Sequence, residues 1–212
     1  MDRSNQRFNK IYGEQSTDSI PWNTLDLPVV IKELIEKEII TACKAIDIGC
    51  GLGNYSRELA RMGFEMFGID FSDVAIEKAR TLANKDKLSI EFLILDFTQE
   101  FKLDLSEFDF AFDYGLLHHI FPNYRETYVR NVAKLLKRNA YYLSIAFNEE
   151  DDYFEGKGKY RKTPTGSVLY FSNTAEILKL FSPLFHIRDI KNITIPGKNG
   201  NHRAYYALMQ KK

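Results

Sequence analysis

The chain has 212 residues, of which 44% are hydrophobic and 14% aromatic, and this composition predicts a protein with a buried core, not a disordered one. Lysine plus arginine and aspartate plus glutamate balance at 29 each, so no net field attracts nucleic acid or an anionic membrane. The cysteines, Cys43 and Cys50, lack the CxxC spacing of a metal site and are too few for a disulfide framework. We therefore expect a cytoplasmic single domain, monomeric or homodimeric, with no metal, membrane or nucleic-acid partner.

Hydrophobic periodicity predicts strands that alternate with helices along most of the chain. In chain order we expect a helix at about 28–40, a strand at 44–49, a helix at 53–63, a strand at 64–70, a helix at 72–84, strands at 88–96 and 108–115, a helix at 123–139 and a strand at 140–147. Ser72 is a good N-cap, and Asn123 with Glu126 has the spacing of a capping box. This alternation favours a parallel sheet that is covered by helices on both faces.

The periodicity stops between Asn148 and Gly166, where an acidic run precedes a stretch of glycine and lysine, so a long loop is predicted there. A last helix follows at 172–181, with Asn173 and Glu176 as its capping box. Two strands at 185–194 and 202–210, joined through the turn sequence IPGKNGN, predict a closing antiparallel hairpin.

The segment AIDIGCGLGNYS places a glycine-rich turn between the first strand and its helix, which is where ligands approach the backbone in α/β folds. No lysine follows the glycines, as a triphosphate site would require, and the spacing is G-x-G-x-G where a nicotinamide fingerprint has G-x-G-x-x-G. Asp47, two residues before the first glycine, would repel a pyrophosphate. A positively charged ligand would instead be attracted to Asp47.

The stretch DIGCGLGNYS resembles the first motif of class I S-adenosylmethionine-dependent methyltransferases. This resemblance implies a Rossmann-like three-layer α/β/α sandwich with a mostly parallel seven-stranded sheet. It also implies that Asp47 lies near the methionine ammonium, Asp70 accepts from the ribose hydroxyls, Phe71 lies against the adenine and Asp96 accepts from its amine. The predicted cofactor contacts are Trp22, Asp47, Gly49, Gly51, Gly53, Asn54, Asp70, Phe71, Asp96, Phe97, Asp113 and Tyr114.

The fourth-strand sequence FDFAFDYGLLHHI lacks the turns of enzymes that methylate adenine, glutamine or cytosine. Together with the PWN segment around Trp22 and the C-terminal region, it resembles the small-molecule branch that includes thiopurine S-methyltransferase-like and tellurite-resistance-like enzymes. The resemblance implies a cofactor-binding core at 45–147 and an N-terminal lid and helix at 1–40. The long segment after the fifth strand, at 148–171, is expected to cover the substrate, and a C-terminal helix and hairpin at 172–212 complete the domain.

For catalysis the sequence offers His118 and His119, which follow the fourth strand and are candidates for a base or for orienting the acceptor. The predicted substrate contacts are Tyr12, Tyr153, Tyr160 and Arg203, the last suited to an anionic group. The expected reaction is direct displacement from S-adenosylmethionine, leaving S-adenosylhomocysteine, with a thiol or other soft nucleophile of a small molecule as acceptor. The alternatives are an oxygen or nitrogen acceptor, or a protein that binds the cofactor without transfer.

Overall fold

The computed structural model describes residues 3–101, 107–154, 156 and 158–212. Its helices are α1 Arg3–Glu14, α2 Val29–Glu36, α3 Asn54–Arg61, α4 Asp73–Lys85, α5 Pro122–Leu135 and α6 Thr174–Phe181. Its strands are β1 Lys44–Ile48, β2 Glu65–Asp70, β3 Glu91–Ile94, β4 Phe108–Tyr114, β5 Leu136–Phe147, β6 Tyr160–Lys162, β7 Val168–Tyr170, β8 Phe185–Gly197 and β9 Gly200–Lys211. Within this described part, no helix has the length and apolar character needed to span a membrane.

Seven strands form one sheet in the order β3-β2-β1-β4-β5-β9-β8, and β6 pairs with β7 in a separate two-stranded sheet. The strands β1, β2 and β3 pair in parallel, whereas β8 and β9 form a long antiparallel hairpin. The predicted Rossmann-like α/β fold, with a mostly parallel seven-stranded sheet and a C-terminal antiparallel hairpin, is confirmed.

The chain divides into two compact units, and each is described by itself. Unit 1 contains residues 1–96 and 108–110. In it β1, β2 and β3 alternate with α3 and α4, and the apolar stripe of α4 is buried through Ala75, Ile76 and Ala79. The predicted N-cap is confirmed, because the Ser72 hydroxyl accepts a hydrogen bond from the Ala75 amide.

Unit 2 contains residues 97–107 and 111–212. Antiparallel pairing joins β5 to β9, and the hairpin of β8 and β9 turns between Gly197 and Gly200. The predicted capping box of the last helix is confirmed: the Asn173 side chain accepts from the Glu176 amide, and the Glu176 carboxylate accepts from the Asn173 amide.

The structure corrects five local predictions. The helix predicted at 123–139 ends at Leu135, and β5 begins directly at Leu136. The first predicted helix ends early, at Glu36, and the chain then turns through Glu38 with a φ of 55°. The capping box at Asn123 and Glu126 is wrong, because the helix begins at Pro122 with Phe121 as its N-cap and no side-chain cap. The predicted loop contains β6. A helix not predicted from the polar N-terminus, α1, opens the chain.

Candidate functional site

The glycine turn after β1 has a backbone conformation that requires glycine. Gly49, Gly51 and Gly53 have φ values of 78°, 53° and 68°, a region that other residues rarely adopt. A side chain at Gly51 would also collide with its surroundings, because a Cβ atom there would lie 2.8 Å from the Tyr12 hydroxyl oxygen. The turn therefore leaves bare backbone beside Tyr12, as a ligand-binding turn needs.

Two buried carboxylates, Asp47 and Asp70, lie near the carboxyl ends of β1 and β2, next to this turn. Asp70, at the end of β2, accepts from the Gly51 amide at 2.9 Å and from the Ser72 amide at 2.9 Å. Asp47, in β1, accepts from the Ser56 hydroxyl at 2.8 Å. Both carboxylates act through their charge on the pKa of Cys50, which burial chiefly raises. The turn therefore lies in a field of negative charge that favours a cationic ligand and disfavours a phosphate.

Burial raises the pKa of Asp70 from 3.8 to about 6, although three backbone hydrogen bonds oppose this rise. A buried carboxylate makes stronger hydrogen bonds to ligand hydroxyl groups than one in water, because the local dielectric constant is low. At neutral pH Asp70 is ionised, and below about pH 6 it takes up a proton.

The N-terminal helix α1 lies over the start of α4 and brings an aromatic group to the turn. The Phe8 ring packs 5.4 Å from Phe71 and 5.6 Å from Trp22. The Trp22 indole donates to the Tyr12 hydroxyl at 2.9 Å, and Trp22 is 38% exposed. Tyr12 and Trp22, predicted as substrate and cofactor contacts respectively, therefore belong to one aromatic group beside Gly51 and Phe71.

Asn54, the first residue of α3, holds the segment that carries Trp22. Its amide donates to the Asn23 side chain at 2.6 Å and to the Thr24 carbonyl at 2.9 Å. This places Asn54 as a support for the PWN segment. Its direct cofactor contact stays a prediction.

The remaining cofactor residues from the sequence lie in both units. Asp96, half-buried, follows β3 in unit 1. In unit 2, the Phe97 ring is buried against Phe101 and Tyr128, at 5.3 Å and 6.1 Å between centroids. Tyr114 is half-buried at the end of β4. The contacts of Asp96, Phe97 and Tyr114 with a cofactor also stay predictions.

Asp113 has no exposed surface and lies among tyrosine hydroxyls. Its Oδ2 atom accepts from Tyr128 at 3.1 Å and from Tyr142, while Oδ1 is buried without a hydrogen-bond partner within the described residues. Burial raises the pKa of this carboxyl to about 6. Asp113 thus links β4 to α5 and β5 inside unit 2 through the hydroxyls of Tyr128 and Tyr142.

Asp113→Asn is expected to change how stability depends on pH. The ordinary pKa of 3.8 rises to about 6 on folding, so the native state binds a proton more readily than the unfolded chain. The resulting stabilisation is fully present below pH 3.8 and is lost as pH rises through 6. In urea unfolding, the advantage of wild type over D113N should therefore grow by about 2 kcal/mol from pH 7.5 to 4.5. Asp109→Asn, on the same strand, is the control, and a constant difference for D113N would contradict the assignment.

The predicted catalytic histidines form a short helical turn, Leu117–His119, after β4. The Phe147 amide donates to Nδ1 of His118 at 3.2 Å, and the two rings stack at 4.1 Å. Burial, followed by the charges of His119 and Arg125, holds the pKa of His118 well below its usual range. His118 is thus a neutral ring with its proton on Nε2, which suits it to donate and not to accept. His119 is half-buried, 4.6 Å from the His118 ring.

The predicted substrate residues of unit 2 occupy different places. Tyr153 lies edge-on to His202 at 4.4 Å. Tyr160 is 58% exposed and packs against Phe121 and Tyr170. The Arg203 side chain donates to Thr194 on the exposed face of the hairpin.

Sequence reasoning missed three buried groups in unit 2. Arg125 donates to the carbonyls of Leu117 and Ile120 and to the Ser172 hydroxyl, so it fixes the turn that carries both histidines. Asp151 pairs with His202 at 3.2 Å. Residues 151 and 202 are far apart in sequence, so their pairing could not be predicted. The one indication in the sequence is that they lie close to the predicted substrate contacts Tyr153 and Arg203.

Comparisons with known proteins identify the family of this chain. A model of the methyltransferase domain matches residues 45–139. An uncharacterized methyltransferase of Schizosaccharomyces pombe is 30% identical over 119 residues, which cover 55% of this chain and 77% of the yeast protein. The chain belongs to the methyltransferases. S-adenosylmethionine is the cofactor of this family.

The chain is also similar to one further curated protein and to one solved structure. The ubiquinone biosynthesis O-methyltransferase of Pelagibacter ubique is 32% identical over 106 residues, half of this methyltransferase and 42% of that protein. This chain therefore matches less than half the length of the Pelagibacter enzyme. A solved structure of the 1,6-didemethyltoxoflavin-N1-methyltransferase of Burkholderia thailandensis, with bound S-adenosylhomocysteine, is 17% identical, has a TM-score of 0.76 and covers 99% of this chain and 88% of that one.

The residues of the glycine turn fit S-adenosylmethionine. This cofactor carries a positive sulfonium and ammonium, which match the negative charges of Asp47 and Asp70 beside the turn. Burial raises the pKa of Tyr12 well above 10, so its hydroxyl keeps a proton. That hydroxyl accepts from the Trp22 indole, so it can still donate its own proton to a ligand.

Tyr12→Phe in this methyltransferase is expected to weaken binding of S-adenosylhomocysteine about tenfold. The substitution removes one donor beside Gly51, and a hydrogen bond to a charged group contributes about 1.5–3 kcal/mol. Isothermal titration measures the change. Tyr55→Phe removes a half-buried hydroxyl that pairs with Thr24 and is the matched control. Unchanged affinity in Y12F would show that the hydroxyl serves only to hold Trp22.

Proposed function

We propose that this methyltransferase transfers a methyl group to a small molecule with a planar or apolar body. The observation that supports this is a group of rings in unit 2, the aromatic cluster. Its members are Phe147, Tyr153, Phe154, Phe171 and His202, with neighbouring ring centroids 4.3–6.2 Å apart. Phe147, Tyr153 and Phe154 are half-buried, so part of their ring surface is open to a ligand.

The position of the aromatic cluster supports a substrate role. Phe147 is the last residue of β5, and it stacks on His118, which follows the end of β4. In open α/β folds, ligands bind outside the carboxyl ends of the strands. The cluster is therefore at the end of unit 2 where an acceptor is expected.

For the cofactor, we propose the residues of unit 1 that surround the glycine turn. Asp47 faces the ammonium through its network with Ser56, Asp70 accepts from the ribose, and Phe71 with Phe8 lies beside the adenine. Bound S-adenosylmethionine supplies a methyl group that is already activated by the positive sulfur. The protein's own contribution is then to align the acceptor and to exclude water.

We propose sulfur as the first choice of acceptor atom. A soft, polarisable sulfur makes favourable contacts with aromatic rings, and the aromatic cluster offers several. A thiol also loses its proton more easily than a hydroxyl or an amine, so it needs less help from a base. The thiopurine-like or tellurite-like branch remains a prediction on the same grounds.

A second candidate is an oxygen or nitrogen acceptor. The pairing of Asp151 with His202 favours it, since such a pair can remove a proton from a hydroxyl or amine. The Pelagibacter relative is named as an O-methyltransferase, which supports the same candidate. The cytoplasmic location and the monomeric or dimeric state remain predictions.

The test combines binding and turnover. Isothermal titration with S-adenosylhomocysteine should show one site per chain, while NADH should not bind. Turnover is then followed as S-adenosylhomocysteine formed with thiols, phenols and amines that carry an aromatic ring, against aliphatic thiols of equal acidity. A preference for ring-bearing acceptors supports the proposal. Binding without turnover on any acceptor would instead indicate a cofactor-binding protein without transfer activity.

A further inference from the structure

The carboxylate of Asp151 is a fully buried acceptor that organises the end of the aromatic cluster. Its Oδ2 atom accepts from the Arg203 amide at 2.8 Å and pairs with Nδ1 of His202 at 3.2 Å. Its Oδ1 atom accepts from the Tyr153 amide at 3.2 Å. An ionised carboxylate only accepts hydrogen bonds, so Nδ1 of His202 carries the proton in this pair. With the proton on Nδ1, the neutral form of the ring carries its electron pair on Nε2.

The Nε2 atom of His202 has aromatic faces and glycine backbone around it. The ring stacks on Phe147 at 4.3 Å and on Phe154 at 5.2 Å. On its Nε2 edge lies Gly197, where a Cβ atom would come within 2.9 Å of Nε2. Glycine at 197 thus keeps that edge of the imidazole clear.

His118 and His202 both stack on the Phe147 ring, at 4.1 Å and 4.3 Å, and they take opposite roles. Nδ1 of His118 accepts from the Phe147 amide, so the proton of this ring is on Nε2. His202 has its proton on Nδ1 and its electron pair on Nε2. Of these two rings, His202 is the one arranged to take a proton.

We propose that His202, oriented by Asp151, is the base that deprotonates the methyl acceptor; this rests on the proposed function. The acceptor's O–H or S–H proton moves to Nε2 of His202, and its electron pair forms the new bond to the methyl carbon as the carbon–sulfur bond of the donor breaks toward sulfur. The imidazolium is stabilised by Asp151 and returns its proton to water. The acceptor class is a ring-bearing phenol or thiol that is not ionised at the working pH.

The first experiment needs no acceptor and uses the full chain with ¹⁵N-labelled histidine. We expect His202 to show the Nδ1-protonated tautomer and His118 the Nε2-protonated tautomer. In Asp151→Ala the His202 ring should lose its Nδ1-protonated form. His186, on the exposed side of β8, is the internal reference. An Nε2-protonated His202 in the wild type would overturn the proposal, whatever the turnover data show.

The second experiment compares His202→Gln with His118→Gln on two acceptors at one pH. For an aromatic acceptor that is not ionised, such as 4-methylphenol or benzyl mercaptan, H202Q should lower kcat about 100-fold. For 4-nitrothiophenol, which is already ionised, the loss should stay under about threefold. H118Q should affect both acceptors equally. Equal losses for both acceptors in H202Q would assign His202 a structural role and overturn the proposal.

The two proposals fail in different ways. If wild type binds S-adenosylhomocysteine but methylates no acceptor of either kind, the proposed acceptor class is wrong, and the tautomer of His202 still decides whether the pair is arranged as a base. If the acceptors are methylated and H202Q retains its kcat on both, the proposed function stands and the inference about His202 is overturned.

Discussion

Asp70→Ala is expected to weaken binding of S-adenosylhomocysteine about 100-fold. The carboxylate accepts from the Gly51 amide and holds the glycine turn, and in the proposed complex it also accepts from the ribose. Loss of one charged hydrogen bond costs about 1.5–3 kcal/mol, and two are affected, so 100-fold is the lower end of the expected range. Isothermal titration below the unfolding temperature measures it.

The control for Asp70 is Asp73→Ala. Asp73 lies three residues along the chain, is exposed and accepts from Asn9, so its removal should leave the affinity within about twofold. A D70A variant that binds as tightly as D73A would show that the ligand does not use the end of β2.

The affinity of this site for S-adenosylhomocysteine should fall at acid pH. Because burial raises the pKa of Asp70 to about 6, lowering the pH from 7.5 to 5 protonates the carboxyl and removes one of its acceptor oxygens. The affinity for S-adenosylhomocysteine should fall by up to about tenfold across this range. Asp70→Asn should bind more weakly at pH 7.5 and show a flatter profile. A wild-type affinity that rises toward pH 5 would contradict this assignment.

Arg125→Lys is expected to destabilise the protein by about 3 kcal/mol. The buried guanidinium donates to the carbonyls of Leu117 and Ile120 and to Ser172, and it lies 4.7 Å over the Tyr170 ring. A lysine ammonium lacks the planar fork that reaches these acceptors together, and each buried carbonyl left without a donor costs about 1–3 kcal/mol. Urea unfolding measures the loss.

The matched control is Arg130→Lys on the same helix. Arg130 is exposed and contacts Glu100 and Thr127, so its replacement should cost less than about 0.5 kcal/mol. Hydrogen exchange should locate the effect of R125K in the turn Leu117–His119. Faster exchange throughout α5, with that turn unchanged, would contradict the assigned role of Arg125.

The fold was largely predictable because the periodicity of the strands and helices is strong from residue 44 to residue 147. The helix α1 was missed although Phe8, Ile11 and Tyr12 have helical spacing, because the surrounding residues are polar and the apolar face is narrow. Ile11 and Tyr12 are buried all the same, which tertiary packing and not propensity explains. The strand β6 was missed because three residues are too few to show alternation.

The candidate site was predictable where its residues lie next to a motif. The glycines, Asp47 and Asp70 follow directly from the order of strand, turn and helix, so local sequence places them. Asp151, His202 and Arg125 are different, because their partners come from distant segments that only the pairing of β5 with β9 and the packing of α5 bring together. Contacts between distant segments of this kind cannot be predicted from the spacing of residues along the chain.

Trp22 is the one tryptophan of the chain, and it donates to a Tyr12 hydroxyl that borders Gly51. Its indole is therefore a built-in fluorophore beside the turn, and its emission can report ligand arrival without any dye. Rapid-mixing fluorescence would then give association and dissociation rates directly, and the same signal would rank candidate ligands in a plate format.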